Sequence, residues 1–162
     1  MSNFEKVVDF NEKFGVPVRQ KPDPGVFDVD PKLVKLRMDL IREEMKELEH
    51  AVSQKDYVET VDALGDILYV VYGMGASIGI NMDKAFRLIH DSNMSKLCKT
   101  EDDAKQTVIW YENAFKTGEQ PYDSPAYRKS QDGAFWVVFN KSSGKILKSI
   151  YYYPVDLKPL CN

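Results

Sequence analysis

A chain of 162 residues fits one domain with a small appendage, and it can bury enough surface to fold without staples. Its 22 lysines and arginines against 25 aspartates and glutamates leave a net charge of −3. That balance argues against general nucleic-acid binding but allows one small anionic ligand at a local site.

The first ten residues, MSNFEKVVDF, contain no apolar signal core. Residues 2 to 14 pattern as a short amphipathic helix with Phe4, Val7, Val8 and Phe14 on its apolar side. Gly15, Pro17, Pro22, Pro24 and Gly25 make residues 15 to 30 a loop. Asp30-Pro31 is a strong helix start, with aspartate as N-cap and proline at the first helical position. That helix is expected to run to about Val52, followed by a turn at Ser53-Gln54-Lys55.

Asp56 to Glu59 has the spacing of a capping box and opens the next helix, which is expected to end near Gly79. This is the most apolar part of the chain, but Asp62, Asp66 and four glycines interrupt Val61 to Ile80. Two aspartates suit a helix buried in a bundle better than a membrane span. Asn81 is placed to cap a helix ending near Leu97, and Thr100 to cap one over 101 to 116. Three long helices with short joints imply an all-α antiparallel bundle over residues 1–117.

Beyond 117 the character changes. Residues 134–140 (AFWVVFN) and 145–153 (KILKSIYYY) are β-rich and flank a turn at 141–144. A C-terminal β-hairpin extension over 118–162, packed on the bundle, follows from this, because an isolated hairpin is marginal. The two cysteines, Cys98 and Cys161, form no CxxC pair, so reduced thiols in the cytoplasm are the simpler reading.

The chemistry appears where acids break the helical patterning. On the helix from Pro31, Leu33, Val34, Leu36, Leu40, Ile41, Leu48 and Val52 form an apolar arc. Glu44, Glu47 and Arg37 fall inside that arc, and Glu43 lies at its edge. A carboxylate on a core face must find a cation or protonate. A salt bridge to Arg37 is the structural alternative to a shared metal. On the helix from Tyr57, the acids Glu59, Asp62 and Asp66 line one stripe with Gly73, and Tyr69 lies at its edge. Asp62 and Asp66 are four apart and repel unless a cation is near. Glu59 has a competing role as the acid of its own capping box. Gly73 is read equally as a point of close helix packing or of ligand access. Asn93 and Lys96 fall inside the apolar stripe of the helix after Asn81, with His90 beside it. Acids from two helices with a lysine and an asparagine from a third are what a Mg²⁺-triphosphate site requires. Di-iron bundles need two Glu-x-x-His motifs. Only Glu47 to His50 supplies one, and His50 is expected on the solvated side.

These residues resemble the all-α nucleoside triphosphate pyrophosphohydrolase superfamily, which includes MazG-type enzymes, dimeric dUTPases and phosphoribosyl-ATP pyrophosphohydrolase. The resemblance rests on a Glu-Glu-x-x-Glu helix, here 41–48 (IREEMKEL), and on 62–70 (DALGDILYV) in the place of the Glu-x-x-Asp helix. The stretch 90–96 (HDSNMSK) and the closing GKILK and YPVDLK segments are similar to the MazG-like, phosphoribosyl-ATP-pyrophosphohydrolase-like branch. The resemblance implies Glu44, Glu47 and Asp66 as Mg²⁺ ligands (Mn²⁺ being an alternative ion) and Glu43 as the group that orients or deprotonates the attacking water. It also implies Asn93 and Lys96 near the phosphates. Arg37 and Tyr69 are further candidates for substrate binding, and Tyr69, Tyr72 and Trp136 for reading the base.

Ala63 stands where many members carry the motif's glutamate, so Asp62, and after it Glu59, are the substitute ligands. The implied reaction is hydrolysis of a nucleoside or deoxynucleoside triphosphate to a monophosphate and pyrophosphate, in the service of nucleotide-pool house-cleaning. It would be carried out by a cytoplasmic homodimer or dimer of dimers that engages neither nucleic acid nor membrane. Phosphoribosyl-ATP pyrophosphohydrolase and a non-catalytic nucleotide-binding scaffold are the alternatives.

Overall fold

The computed structural model describes all residues from Met1 to Asn162. Six α-helices precede and flank one small sheet: α1 (Asn3–Lys13), α2 (Val26–Val29), α3 (Pro31–Ser53), α4 (Tyr57–Ile78), α5 (Met82–Met94), α6 (Glu101–Lys116), β1 (Pro125–Lys129) and β2 (Trp136–Asn140). The fold is the expected helical one with a C-terminal hairpin. Two compact units divide it: residues 1–87 with 157–162, and residues 88–156. The change of sequence character at 117 therefore falls inside the second unit.

In the first unit, side-chain caps define the helices. Ser2 and Glu5 close a capping box on α1, and Asp30 accepts from the Leu33 N–H at the start of α3. Gly79 ends α4 in the left-handed region at φ 80°, and a Cβ there would lie 1.8 Å from the Lys21 carbonyl oxygen. Glycine is therefore dictated by both backbone angle and space. The loop over 15–25 is pinned to that same helix end. Arg19 donates from its backbone N–H to Ala76 O (3.0 Å) and from Nη1 to Ser77 O (2.7 Å), and the Asp23 N–H donates to Ile78 O (3.1 Å). These bonds satisfy the carbonyls that a helix C-terminus leaves open. The stretch expected as loop throughout also contains the single helical turn α2, whose Val26 is fully buried.

α3 and α4 form the main pair of this unit, with α1 laid against α4. The expectation that α4 is buried nearly all round is corrected here. Val61, Leu64 and Leu68 are exposed, as are Leu36 and Val52 on α3. The apolar face that the helical pattern shows is wider than the face the single chain covers. By length and composition alone, α4 is also apolar enough to cross a membrane.

In the second unit, Cys98, Ala104, Tyr111, Val138 and Leu147 form the core. β1 and β2 pair antiparallel, from Pro125 opposite Asn140 to Lys129 opposite Trp136. They pack on α6, so α6 belongs with the hairpin. The strand expected over 145–153 does not form, apart from one bridge between Phe139 and Ile146. At that bridge Leu147 N bonds Val138 O (2.9 Å), and the donors that follow find other partners: Lys148 N bonds Tyr111 Oη (3.2 Å), Ser149 N bonds Lys96 O (3.3 Å) and Ile150 N bonds Thr107 Oγ1 (3.3 Å). α5 stops at Met94, three residues before the expected end. The Ser92 hydroxyl then donates to Tyr153 O at 2.9 Å.

Candidate functional site

Antiparallel pairing of α3 and α4 sets the acids of one helix across from those of the other. Glu44 shows the arrangement best. Its Oε2 is buried and has no hydrogen-bond partner. Its carboxyl is pushed above the ordinary value, first by burial and then by repulsion from Glu47, Asp66, Glu43 and Asp62. Further along the same seam, a cleft of about 390 Å³ is lined by Glu47, His50, Glu59 and Asp62, with Lys46 beside them. A second hollow, of about 600 Å³, carries Glu59, Asp62 and Asp66. Glu43, Glu47, Glu59, Asp62 and Asp66 are exposed, and Glu44 is half-buried. None of the six is in an ion pair.

Two structural alternatives to a metal role fail. Arg37 does not neutralise the acids. Its Nε donates to Ser77 Oγ at 2.7 Å, its Nη2 is buried without a partner, and burial lowers its pKa. Glu59 does not close a capping box either. Asp56 accepts from the N–H groups of Val58 and Glu59, but the Asp56 N–H donates to Ala51 O at 3.0 Å, which leaves the Glu59 carboxylate free for other use. One burial expectation is also corrected: Glu47 is exposed, because the face of α4 opposite it is itself uncovered. His50 is exposed, as expected, and lines the acid cleft.

No three His, Cys, Asp or Glu side chains are gathered into a ready-made metal cage. That suits Mg²⁺, which retains waters and takes one or two carboxylates together with substrate phosphates. The donors here are all hard carboxylate oxygens, and an orphaned buried oxygen on Glu44 faces its neighbours' charge. Ala63 is buried in the seam beside the cleft, and its neighbour Asp62 reaches both hollows.

The remaining candidates are placed as follows. A Cβ on Gly73 would lie 3.1 Å from Arg37 Nη1 and 3.9 Å from Val7 Cγ1, so this glycine gives room to the guanidinium and to α1. Tyr69 meets Phe10 edge-on at 5.5 Å, and Tyr72 is tilted against Phe4 at 6.3 Å. Trp136 sits in the hairpin, edge-on to Tyr127 at 5.6 Å and beneath Lys129. Asn93 and Lys96, in the second unit, bind each other through Nζ and Oδ1 at 2.8 Å. Sequence reasoning passed over Arg19, whose guanidinium joins Asp23 to the α4 terminus. Its only sequence signal is a basic residue in a proline-rich loop.

The phosphoribosyl-ATP pyrophosphohydrolase family model matches residues 7–93, a span that contains all six acids. An uncharacterised protein of Acanthamoeba polyphaga mimivirus is 29% identical, with 93% of this chain and 92% of the viral protein covered. The matched span is more than half of the 162 residues. The chain therefore belongs to the phosphoribosyl-ATP pyrophosphohydrolase family, within the MazG-like superfamily, and its family activity is that of a pyrophosphohydrolase.

Proposed function

We propose that this protein hydrolyses a nucleoside or deoxynucleoside triphosphate to the monophosphate and pyrophosphate with Mg²⁺. The observation that carries the reading is the buried, unpartnered Glu44 oxygen facing four further carboxylates, none of them paired with a lysine or arginine. Folding alone gives no reason to assemble that much like charge on one seam.

In this reading Glu44, Glu47, Asp62 and Asp66 hold the metal, with Glu59 at the edge of the set. Bound there, Mg²⁺ supplies positive charge to the phosphates and makes a water easier to deprotonate. Glu43, exposed beside Glu44, orients the attacking water and accepts its proton. Lys96 and Asn93, in the second unit, are the residues that the family resemblance offers for phosphate contact. Arg37 and Tyr69 serve substrate binding less directly, since both are already engaged by protein neighbours. The protein works in the cytoplasm as a homodimer or dimer of dimers. The uncovered Val61, Leu64 and Leu68 stripe of α4 supports a second copy as its cover. The description of the matching family supports a second reading, with phosphoribosyl-ATP as substrate.

The test is product analysis on a panel of ribo- and deoxynucleoside triphosphates and phosphoribosyl-ATP, with Mg²⁺ or Mn²⁺, beside Glu44→Gln and Glu47→Gln. Release of pyrophosphate from one substrate class, lost in both folded variants, supports the proposal and names the substrate. If both variants cleave as well as the parent, the acids are not the catalytic centre.

A further inference from the structure

Outside the acid seam, the second unit contains a groove of about 690 Å³, within the usual range for a small-molecule site. Lys96, Lys145 and Lys148 supply its charge, and Trp110, Tyr122 and Tyr152 supply flat aromatic surface. No aspartate or glutamate lines it, and none of the three lysines is in an ion pair. In a chain of net charge −3, three lysines that share a groove without a counter-charge stand out.

Two of the lysines lie against aromatic rings instead, and Lys96 donates to Asn93 Oδ1. Lys148 Nζ lies 4.6 Å from the centre of the Tyr152 ring, and Lys145 Nζ lies 5.1 Å from that of Tyr122 while donating to its hydroxyl at 2.7 Å. The Lys148 ammonium, which rests against the Tyr152 ring without a hydrogen bond, can turn to an anion at little cost and free that ring to stack a planar group, and Lys145 sits at the hydroxyl edge of Tyr122. The groove floor is fixed. Tyr111 is buried and accepts the Lys148 backbone N–H, Leu147 belongs to the core, and Ser149 N is tied to Lys96 O. Trp110 is held edge-on to Tyr111 at 4.8 Å while remaining 42% exposed.

We propose that this groove is a nucleoside-phosphate site distinct from the acid seam, with the base stacked on the Trp110 and Tyr152 surface and the phosphate held by Lys145 and Lys148. A bare anion leaves the aromatic wall unused, and an uncharged aromatic ligand leaves the lysines unused. A single nucleotide uses both. The groove is bounded, and the chain carries no basic excess to follow a nucleic-acid backbone, which favours a free nucleotide over a strand. The segment that walls the groove lies beyond the matched residues 7–93, so the proposal does not depend on the pyrophosphohydrolase reading.

The test uses the full chain in EDTA, so that divalent metal plays no part, titrated separately with AMP, adenosine, inorganic phosphate and a ten-residue oligothymidylate. Trp110 is one of two tryptophans, and stacking on it is read as fluorescence quenching that disappears in Trp110→Phe; calorimetry gives the affinity independently. AMP is expected to bind about tenfold or more tighter than adenosine or phosphate, and Lys145→Gln with Lys148→Gln to weaken it about tenfold or more. Lys148→Gln alone, whose ammonium makes no hydrogen bond, serves if the double variant does not fold. Glu44→Gln with Glu47→Gln is expected to leave AMP affinity unchanged. The proposal is overturned if AMP does not bind, if phosphate binds as tightly as AMP, or if the acid variant rather than the lysine variant abolishes binding. Preference for the oligonucleotide over AMP would overturn it in favour of a single-strand site.

Discussion

Replacing Glu44 with glutamine separates a metal ligand from a structural acid. Glu44 now repels Glu47, Asp66, Glu43 and Asp62 and receives no compensating cation. A like charge one helical turn away, here Glu47, destabilises by about 0.2–0.5 kcal/mol, and the acids across the seam add to it, so removing the charge at 44 is expected to relieve about 0.5–1 kcal/mol in the metal-free protein. For a chain of this size, that raises the melting temperature by up to about 2–4 °C. The sign also fixes the pH dependence. The folded-state pKa is raised, so the folded protein holds the proton where the unfolded chain has released it. Metal-free stability is therefore highest below the unfolded value and falls as pH rises through the folded one, and Glu44→Gln removes that fall. With Mg²⁺ the order reverses. An ion at a hundred times its dissociation constant adds about 2.7 kcal/mol to the parent protein, roughly 5–10 °C, and the variant loses most of this. Differential scanning fluorimetry from pH 4 to 8, with EDTA and with Mg²⁺, reads all these effects. A metal-free variant several degrees less stable than the parent would refute the reasoning, because it would mean that Glu44 has a partner in the fold.

Gly79→Ala places a Cβ against the Lys21 carbonyl at a left-handed backbone position, and is expected to cost about 3 kcal/mol or more by urea unfolding while loosening the loop over 15–25. Asp56→Ala removes the cap on two α4 N–H groups and is expected to cost about 1 kcal/mol. Glu59→Gln is expected to leave stability within about 0.5 kcal/mol of the parent, because its carboxylate takes no part in that cap. Arg37→Met removes a buried guanidinium that has no carboxylate partner. It is expected to shift stability by less than about 1.5 kcal/mol, against the 3–5 kcal/mol of a broken buried ion pair, as judged by chemical denaturation.

The helices were largely legible because their boundaries are local chemistry. Asp30-Pro31, Asp56, Asn81 and Thr100 each bond the first-turn N–H groups of the helix they precede, as their spacing promised. Strand pairing was not local. The stretch 145–153 has β-forming residues and pairs with β2 around Ile146, but beyond Leu147 its N–H groups are taken by Tyr111, Lys96 and Thr107, so the ladder stops after one bridge. The regular partner of β2 is instead residues 125–129 (PAYRK), on its other edge, a segment with little β signal of its own. Tyr127 packing on Trp136 and both strands packing on α6 decide the register, and these contacts link positions too far apart for a turn motif to report.

The acid seam was legible for a different reason. Glu44, Glu47, Asp62 and Asp66 break the helical pattern, and the structure contains no internal remedy for the break: Arg37 turns to Ser77, Glu59 stays out of the cap, and no lysine closes on the seam. Where a local rule is broken and the fold offers no compensation, the break supports the reading of a ligand site. What the pattern misjudged was depth, since an apolar arc shows which residues share a face but not whether that face is covered. Leu36 and Val52 on α3 and Val61, Leu64 and Leu68 on α4 are open in the single chain. The acids beside them are therefore shallower than the arc implied, at a depth where an ion and a phosphate chain can reach them from solvent.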